Sequence, residues 1–357
     1  MGYYVDRADR HWAPMNYLLL LGAGFSRNGG GWLANEAFEY LLGCPQIDPG
    51  IGQLLWKHRR SGGFEAALSD LQEEYFRRKD SISEENLRKL QDPIASMFTD
   101  MDKAFARMTF EFQNEVQYMV RTFLTQFDAI FTLNQDLLME RHYLPSGGPF
   151  GRWSGGYIPG MRPAPSLAAG SVEINTGKWT PDPSGPTLQG SLQPFIKLHG
   201  SSNWTDVSGR QLLVMGGNKA SIIAQFPMLK WNHDQFMDYL SRPNTRLMVI
   251  GYSFGDPHIN YSIMSEATRG QMRLFVIDPL GLDVIDENRN AALYTPGTLL
   301  GSLQDHVIGA SRRSLRDIFG GDRCGTREGD AVLCLGRMAR DFRGFGWHSM
   351  NAARTRG

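Results

Sequence analysis

One apolar run near the amino end places the strongest limit on how this chain can fold. Residues 17–21 form the run, and the glycines of Gly22-Ala23-Gly24 end it. A run that is apolar at every position suits a strand buried on both faces, as in a parallel sheet. The glycines, with Ser26 after them, indicate a tight turn into a helix, where the backbone can come close to a phosphate. The stretch predicts the first strand and turn of an α/β domain.

Later apolar runs of strand length extend the same pattern. They lie at residues 128–132, 194–198, 246–250 and 273–277, and a shorter run at 221–224 is interpreted as a further strand. Segments with helical spacing separate these runs, for example residues 231–240 and 258–268. Alternating strands and helices predict an α/β fold, a Rossmann-like parallel sheet with helices on both faces.

The rest of the chain divides into three segments around that core. The predicted Rossmann core comprises residues 17–43 and 128–280, and the other segments are an N-terminal arm (1–16), a mostly helical insertion (44–127) and a C-terminal helical or irregular assembly region (281–357). Within the insertion, residues 101–127 carry a stripe of methionine and aromatic side chains, which predicts one long amphipathic helix. Residues 311–319 and 331–342 are predicted to be helical as well.

Residues 144–194 have a different composition, rich in Gly, Pro, Ser and Trp. A long irregular segment inside a compact domain is usually functional or disordered. Two interpretations remain open for it, a lid over a pocket and a loose excursion on the surface.

Charge and composition exclude several classes of protein. Lys+Arg and Asp+Glu are both 37, so the formal net charge is zero, and direct nucleic-acid binding is not expected. The three cysteines, Cys44, Cys324 and Cys334, are too scattered for a disulfide framework or a four-cysteine zinc module. The first 16 residues carry several charges, and no run approaches a bilayer-spanning length. We therefore expect a cytoplasmic protein with free thiols, no bound metal and no membrane segment.

Polar residues or glycines that could bind a ligand or take part in catalysis follow five of the predicted strands. They are Gly22, Gly24 and Ser26, then Asn134 and Asp136, then His199, then Gly251 and Ser253, and last Asp278. Since ligands of open parallel sheets bind outside the carboxyl ends of the strands, these residues are expected to converge on one site. The glycine turn does not fit a dinucleotide-dependent dehydrogenase, because Arg27 occupies the position of the third small residue in that fingerprint.

The same residues resemble the sirtuins, and especially the bacterial sirtuin-like proteins of anti-phage defence. Gly22-Ala23-Gly24-Phe25-Ser26 is similar to the family's GAGxS motif. Thr132-Leu133-Asn134-Gln135-Asp136 resembles TQNxD with one replacement, and Leu198-His199-Gly200 resembles the HG element. Gly251-Tyr252-Ser253 is similar to the GTS element, and Ile277-Asp278 to the strand end that holds the adenosine ribose. The resemblance covers roughly residues 15–280, in the family's order.

Some elements of the deacylases in that family are missing from this chain. The Phe and Arg that follow GAGxS are absent, since residues 30–35 read Gly-Gly-Trp-Leu-Ala-Asn. The paired Cys-x-x-Cys zinc module and the segment that grips an acyl-lysine peptide are also absent. The resemblance therefore implies NAD binding and cleavage more strongly than it implies a protein substrate.

The resemblance also implies roles for the candidate residues. NAD is expected as the substrate, and an NAD+ glycohydrolase would release nicotinamide and ADP-ribose. Asn134 would orient water and the ribose hydroxyls, or could instead serve as a helix N-cap. His199 would be the general base, because an imidazole can exchange a proton near neutral pH. Asp136 would contact the nicotinamide region or simply favour the dipole of the following helix.

The remaining candidates are assigned to cofactor binding. Gly22, Ala23, Gly24 and Ser26 would cradle the pyrophosphate. Gly251, Ser253 and Asp278 would contact the adenosine half, although Asp278 before a proline also suits a turn.

Two other functions remain open. One is an NAD-dependent protein deacylase or ADP-ribosyltransferase, and the other is a non-catalytic NAD-sensing scaffold subunit. A hydrolase that depletes cellular NAD would need restraint, so a homo-oligomer and a regulatory partner encoded nearby, such as a helicase-type ATPase or another sensor, are expected. The chain itself carries no Walker-type phosphate-binding motif.

Overall fold

The computed structural model describes residues 15–112, 119–144, 150–164, 176–270, 272–286 and 297–319. Outside these ranges lie residues 1–14 of the predicted N-terminal arm, the predicted helix at 331–342, and Cys324 and Cys334. No helix within them is long and apolar enough to cross a bilayer.

Strands and helices alternate through much of the described chain. The strands are β1 (Asn16–Leu21), β2 (Ala129–Thr132), β3 (Gly156–Tyr157), β4 (Met161–Pro163), β5 (Trp179–Pro181), β6 (Gln193–Lys197), β7 (Gly200–Thr205), β8 (Gln211–Leu213), β9 (Thr245–Ile250), β10 (Arg273–Ile277) and β11 (Val307–Ser311). The helices are α1 (Ala23–Arg27), α2 (Ala34–Leu42), α3 (Pro49–His58), α4 (Gly63–Arg78), α5 (Ser81–Phe105), α6 (Met119–Leu124), α7 (Leu138–His142), α8 (Lys219–Gln225), α9 (Pro227–Ser241), α10 (Pro257–Arg269), α11 (Leu299–Leu303) and α12 (Leu315–Phe319).

Seven strands form the main sheet, and every neighbouring pair is parallel. Their order is β11-β10-β9-β1-β2-β6-β3. Helices flank this sheet, so the α/β, Rossmann-like fold expected from the sequence is confirmed. A second sheet, β4-β5-β7-β8, is built from residues between β3 and α8.

The strand order also locates a crevice in the main sheet. From β1 the chain moves outward on one side to β2 and β6, and it then returns to β9 on the other side and moves outward to β10 and β11. The connections that leave β1 and β9 therefore run in opposite directions. Such a reversal opens a crevice at the carboxyl ends of the two central strands, which is where open α/β sheets bind ligands.

Strand β1 is buried on both faces, as its sequence predicts. Leu19 and Leu21 belong to the hydrophobic cluster on one side of the sheet. Leu18 and Leu20 belong to the cluster on the other side, and all four side chains are inaccessible to solvent. Alternate side chains of a strand point to opposite faces, so an all-apolar strand joins two cores.

A third hydrophobic cluster holds together the helices between β1 and β2. It includes Phe38 of α2, Leu55 of α3, Leu68 of α4 and Met97 of α5. The end of α5 leaves this cluster, because Met101 and Phe105 pack in a core of the main sheet. The helical segment is thereby anchored directly to the sheet.

The prediction of a single long helix for residues 101–127 is wrong. Helix α5 ends at Phe105 and α6 begins at Met119. Between them Phe112 has φ 64°, a left-handed conformation that cannot continue a right-handed helix. The Glu111 carboxylate then accepts hydrogen bonds from the amides of Val120 and Arg121 at 2.6 and 3.0 Å. Residues 106–112 therefore interrupt the predicted helix, which the hydrophobic period does not reveal.

Two other local predictions also need correction. Residues 221–224 lie in helix α8 rather than in a strand, and only Ile223 of that helix is buried. Residues 311–319 are helical only from Leu315, because Ser311 ends β11. Strand β11 itself extends the main sheet beyond residue 280, where the predicted core ended.

Candidate functional site

One cleft of about 780 Å³ opens at the carboxyl edge of the main sheet. Its walls include nine of the residues predicted from the sequence, namely Gly22, Ala23, Gly24, Asn134, Asp136, His199, Gly251, Ser253 and Asp278. Ser26 is buried behind this wall and does not line it. A volume of this size lies within the usual range of small-molecule sites. No described residue of the 144–194 stretch lines the cleft, so the lid interpretation has no support there.

The glycines at the cleft are required by a close approach of two loops. A Cβ atom on Gly22 would lie 2.4 Å from the Gly251 oxygen, and one on Gly24 would lie 2.7 Å from the Gly251 Cα. The amides of Gly22 and Gly24 donate to the oxygens of Ile250 and Gly251, both at 2.9 Å. These two amides, expected to cradle a pyrophosphate, are thus engaged within the protein. Ala23, at the start of α1, remains exposed at the cleft.

We expect Gly251→Ala to destabilise the fold by more than the cost of a left-handed backbone alone. Gly251 has φ +62°, and its Cβ would meet the Gly24 and Phe25 backbone at 2.5 Å. Gly185→Ala is the matched control, because Gly185 has φ +78° with nothing within 4 Å of its Cβ. The free energy of unfolding of this control, measured in urea, should fall by about 1–2 kcal/mol. An equal loss in the two variants would contradict the close-packing role.

Asn134 connects the end of β2 to the glycine turn. Its Nδ2 donates to the Gly22 oxygen at 2.9 Å and to Ser26 Oγ at 3.0 Å. Since the Gly22 carbonyl can only accept, this contact fixes which way the side-chain amide points. Oδ1 has no protein partner among the described residues and can accept a hydrogen bond from water or a hydroxyl. Asn134 is not a helix N-cap, because α7 starts at Leu138 with Leu137 before it.

Asp136 supports the start of α7 from the floor of the cleft. Its Oδ1 accepts a hydrogen bond from the Leu138 amide at 3.0 Å. Burial raises the pKa of this carboxyl, while Lys197, the Leu138 amide and the Ser26 hydroxyl oppose the rise. The role at the first turn of the following helix is therefore present, and Asp136 also lines the cleft, while its contact with a nicotinamide stays a prediction.

A buried ion pair beneath Asp136 was missed by sequence reasoning. Lys197 Nζ donates to Glu140 Oε1 and to the Asp136 backbone oxygen, each at 2.6 Å. Both side chains are almost fully shielded from solvent. Burial raises the pKa of Glu140, and the Lys197 ammonium acts against that rise. A lysine inside the apolar strand before His199 was the signal available in the sequence.

His199 stands where β6 meets the cleft wall and is only 2% exposed. Burial is the main reason that its pKa lies well below the usual value, and the charge of Lys219 and the nearby His258 and His233 lower it further. The imidazole is therefore neutral at physiological pH, with a lone pair on one of its two ring nitrogens. Gly200 follows it because a Cβ there would lie 1.9 Å from the Leu212 oxygen of β8, at φ +73°.

Two further histidines, which the sequence analysis did not place in the site, lie beside His199. Nε2 of His199 and Nε2 of His258 are 3.1 Å apart, and His233 completes a group whose nitrogens lie within 4.8 Å of one another. Burial lowers the pKa of His233 to about 4 and also lowers that of His258. Three imidazoles of this kind could hold a metal ion, a possibility hidden in the sequence because they are far apart along the chain.

A charged group adjoins these histidines. Lys219 pairs with Glu65 at 2.9 Å and with Asp256 at 2.8 Å. Asp256 directly precedes α10, but its side chain makes no cap hydrogen bond and binds Lys219 instead. Lys219 and Asp256 are thereby fixed at the edge of the cleft.

The far end of the cleft holds Ser253 and Asp278. Ser253 is exposed, and Asp278 Oδ1 accepts from the Leu280 amide at 2.9 Å, which is the turn role considered for it. Arg27, Lys219 and Arg313 also line the cleft, as do the carboxylates Glu65 and Asp256 that pair with Lys219. Arg27 and Arg313 are therefore the cationic side chains of this lining that suit a ligand carrying phosphates. Neither the protein-family models nor the curated proteins compared with this chain match it.

Proposed function

We propose that this protein cleaves NAD+ to nicotinamide and ADP-ribose. The observation that carries the proposal is the convergence of the predicted NAD-binding and catalytic residues on one cleft, at the point where the sheet reverses its direction. A ligand site is expected at this position in any sheet of this type. The sirtuin-like residue pattern supplies the identity of the ligand, and Arg27 and Arg313 at the cleft suit its diphosphate.

The reaction breaks the bond between the anomeric carbon of the ribose and the nicotinamide nitrogen. The bonding electrons leave with neutral nicotinamide, water adds to the anomeric carbon, and one proton is released. Asn134 Oδ1 accepts a hydrogen bond from the attacking water or a ribose hydroxyl and so positions it. His199, neutral because of its burial, takes up the proton. This role requires that Nε2 of His199 donates to Nε2 of His258, so that Nδ1 keeps the lone pair that accepts the proton.

The biological setting follows from the resemblance alone. Under this proposal the protein is the NAD-depleting effector of a bacterial anti-phage system, acting as a homo-oligomer in the cytoplasm under a regulatory partner encoded nearby. A deacylase or ADP-ribosyltransferase would instead consume NAD only with an acylated or acceptor protein, and a scaffold subunit would bind NAD without turnover.

The decisive experiment measures nicotinamide release from NAD alone, using the full chain co-expressed with its genomic neighbours. Wild type should turn NAD over, and Asn134→Ala should be slower by about 10²-fold, the order lost when a reacting group is misplaced. Gln225→Ala is the control, since Gln225 is exposed on α8 and does not line the cleft. Its rate should match wild type. Turnover that requires an added acceptor protein, or no turnover at all, would reject the proposal.

A further inference from the structure

Three histidines from separate elements meet behind the cleft. His199 follows β6, His233 lies on α9 and His258 lies in the first turn of α10. Each offers one ring nitrogen, and these nitrogens lie within 4.8 Å of one another. In a tetrahedral zinc site with Zn–N bonds of about 2.0–2.1 Å, two ligand nitrogens stand roughly 3.3 Å apart. The 3.1 Å between Nε2 of His199 and Nε2 of His258 is close to that separation.

The third histidine is already oriented in the way that metal ligands are. His233 Nε2 lies 3.1 Å from the Leu198 backbone oxygen. A carbonyl oxygen only accepts, so Nε2 carries the hydrogen and Nδ1 keeps its lone pair. Metal-binding histidines commonly donate their second N–H to a backbone carbonyl or carboxylate, which fixes the tautomer and the ring. Leu198 is also the residue before His199, so one strand end positions both rings.

Charges of both signs adjoin the histidines. Lys219 contributes one positive charge, and its partners Glu65 and Asp256 contribute two negative charges, which leaves this group with a net charge of one negative. Asp256 lies only two residues before His258. Imidazole ligands suit zinc, copper, iron and nickel, whereas calcium and magnesium need oxygen ligands. The set therefore selects a transition metal.

We propose that His199, His233 and His258 bind one divalent transition-metal ion of the zinc class, with water as a fourth ligand. The ion uses Nε2 of His199 and Nε2 of His258, which face each other, and Nδ1 of His233. It replaces the direct contact between His199 and His258 as the link between β6 and α10.

A consequence that rests on the proposed function is that the ion turns the cleft off. A neutral histidine bound through Nε2 carries its hydrogen on Nδ1. Nδ1 of His199 then has no lone pair and cannot accept a proton from the substrate. Metal binding and general-base catalysis are therefore mutually exclusive at this residue, and the site acts as an inhibitory metal switch.

Metal binding is tested first, without reference to any reaction. Co²⁺ is titrated into the full-length, metal-free protein while the visible spectrum is recorded, and Zn²⁺ binding is measured by calorimetry. Wild type should bind one ion with the intense bands of tetrahedral Co²⁺, and His233→Gln should bind at least 10-fold more weakly. His58→Gln is the matched control, because His58 contacts Asp70 and Ser61 and does not belong to the cluster. Equal binding by wild type and His233→Gln would overturn the proposal.

A second measurement covers the case in which His233→Gln fails to fold. X-ray absorption of the zinc-loaded wild type should show nitrogen and oxygen ligands with scattering from three imidazoles. No stoichiometric zinc, or zinc with fewer than three imidazole ligands, would overturn the site in the intact protein.

The switch is tested by nicotinamide release with and without Zn²⁺. Zinc should inhibit wild type and His58→Gln, a chelator should restore the rate, and His233→Gln should need at least 10-fold more zinc for half-inhibition of its own metal-free rate. If the metal binds but NAD is never cleaved, the proposed function fails and the metal site stands. If NAD is cleaved and zinc neither binds nor inhibits, the metal site fails and the hydrolase stands.

Discussion

Replacing His199 with asparagine should lower the rate of nicotinamide release by about 10²–10⁴-fold, the usual contribution of a general base. Asparagine keeps the size and polarity of the side chain but cannot accept the proton. The residue lines the cleft, and burial keeps its ring neutral, so the loss should appear in kcat rather than in KM. Single-turnover assays in the presence of a chelator separate this effect from any metal inhibition.

His58→Gln is the control for this substitution as well, because the His58 ring does not line the cleft. It should retain the wild-type rate. A His199→Asn variant that keeps more than about a tenth of the wild-type rate would contradict a role as the base.

The assignment of His199 as the base also determines how kcat/KM should depend on pH in acidic solution. The pKa of His199 lies well below its usual value of 6.5, because burial and nearby positive charge disfavour the imidazolium. Below pH 6.5 the base therefore remains unprotonated, and kcat/KM should stay level as the pH falls from 8 through 6.5. The decline should begin only in more acidic solution. A midpoint at 6.5 would mean that a normally solvated histidine, and not His199, is the base.

The second large effect is expected at the buried ion pair. Lys197→Met should destabilise the protein by about 3–5 kcal/mol at neutral pH, because it leaves the Glu140 carboxylate without its counter-ion. The two side chains are 0% and 1% exposed, and Glu140 Oε2 has no hydrogen-bond partner. Urea unfolding monitored by far-UV circular dichroism measures the loss.

Two comparisons isolate the cause of that loss. The double variant Lys197→Met/Glu140→Leu removes both charges and should recover most of the stability, because no unpaired charge remains buried. Lys57→Met breaks an exposed pair with Asp70 and should cost less than about 1 kcal/mol. A Lys197→Met variant no less stable than Lys57→Met, or a double variant as unstable as the single one, would contradict an uncompensated charge as the cause.

Acidification should reduce the loss of folding stability that Lys197→Met causes. Burial already raises the pKa of Glu140, and removing the lysine removes the charge that opposes this rise. As the pH falls, Glu140 binds a proton in the folded variant and the buried charge disappears. The stability difference between wild type and Lys197→Met should therefore shrink from pH 8 to pH 5.

The candidate cleft was largely predictable because its residues follow the strands directly. A strand of all-apolar residues has to be buried on both faces, and a parallel sheet brings all its carboxyl ends to one edge. Asn134, His199 and Gly251 could therefore be expected together from their positions alone. The roles of individual atoms could not be predicted, as the engaged amides of Gly22 and Gly24 illustrate.

The errors came from segments in which two structures share one hydrophobic pattern. The stripe across residues 101–127 fits a continuous helix, but residues 106–112 are not helical and Phe112 is left-handed. The apolar run at 221–224 is too short for its period to distinguish a strand from a helix. Strand β11 also lacks a clear pattern in the sequence, because residues 307–310 are half-buried and the segment forms a strand by pairing with β10.

The sequence by itself determined the apolar strand at residues 17–21, the glycine turn after it, and the set of polar residues at the strand ends. Local spacing and burial on two faces are properties of consecutive residues, so they can be read along the chain. Only the tertiary structure decided that His233 and His258 join His199, and that Lys197 meets Glu140. The three histidines are 25 to 59 residues apart along the chain, and Lys197 and Glu140 are separated by 57. Contacts over such distances depend on how helices dock on the sheet, which no local pattern of residues contains.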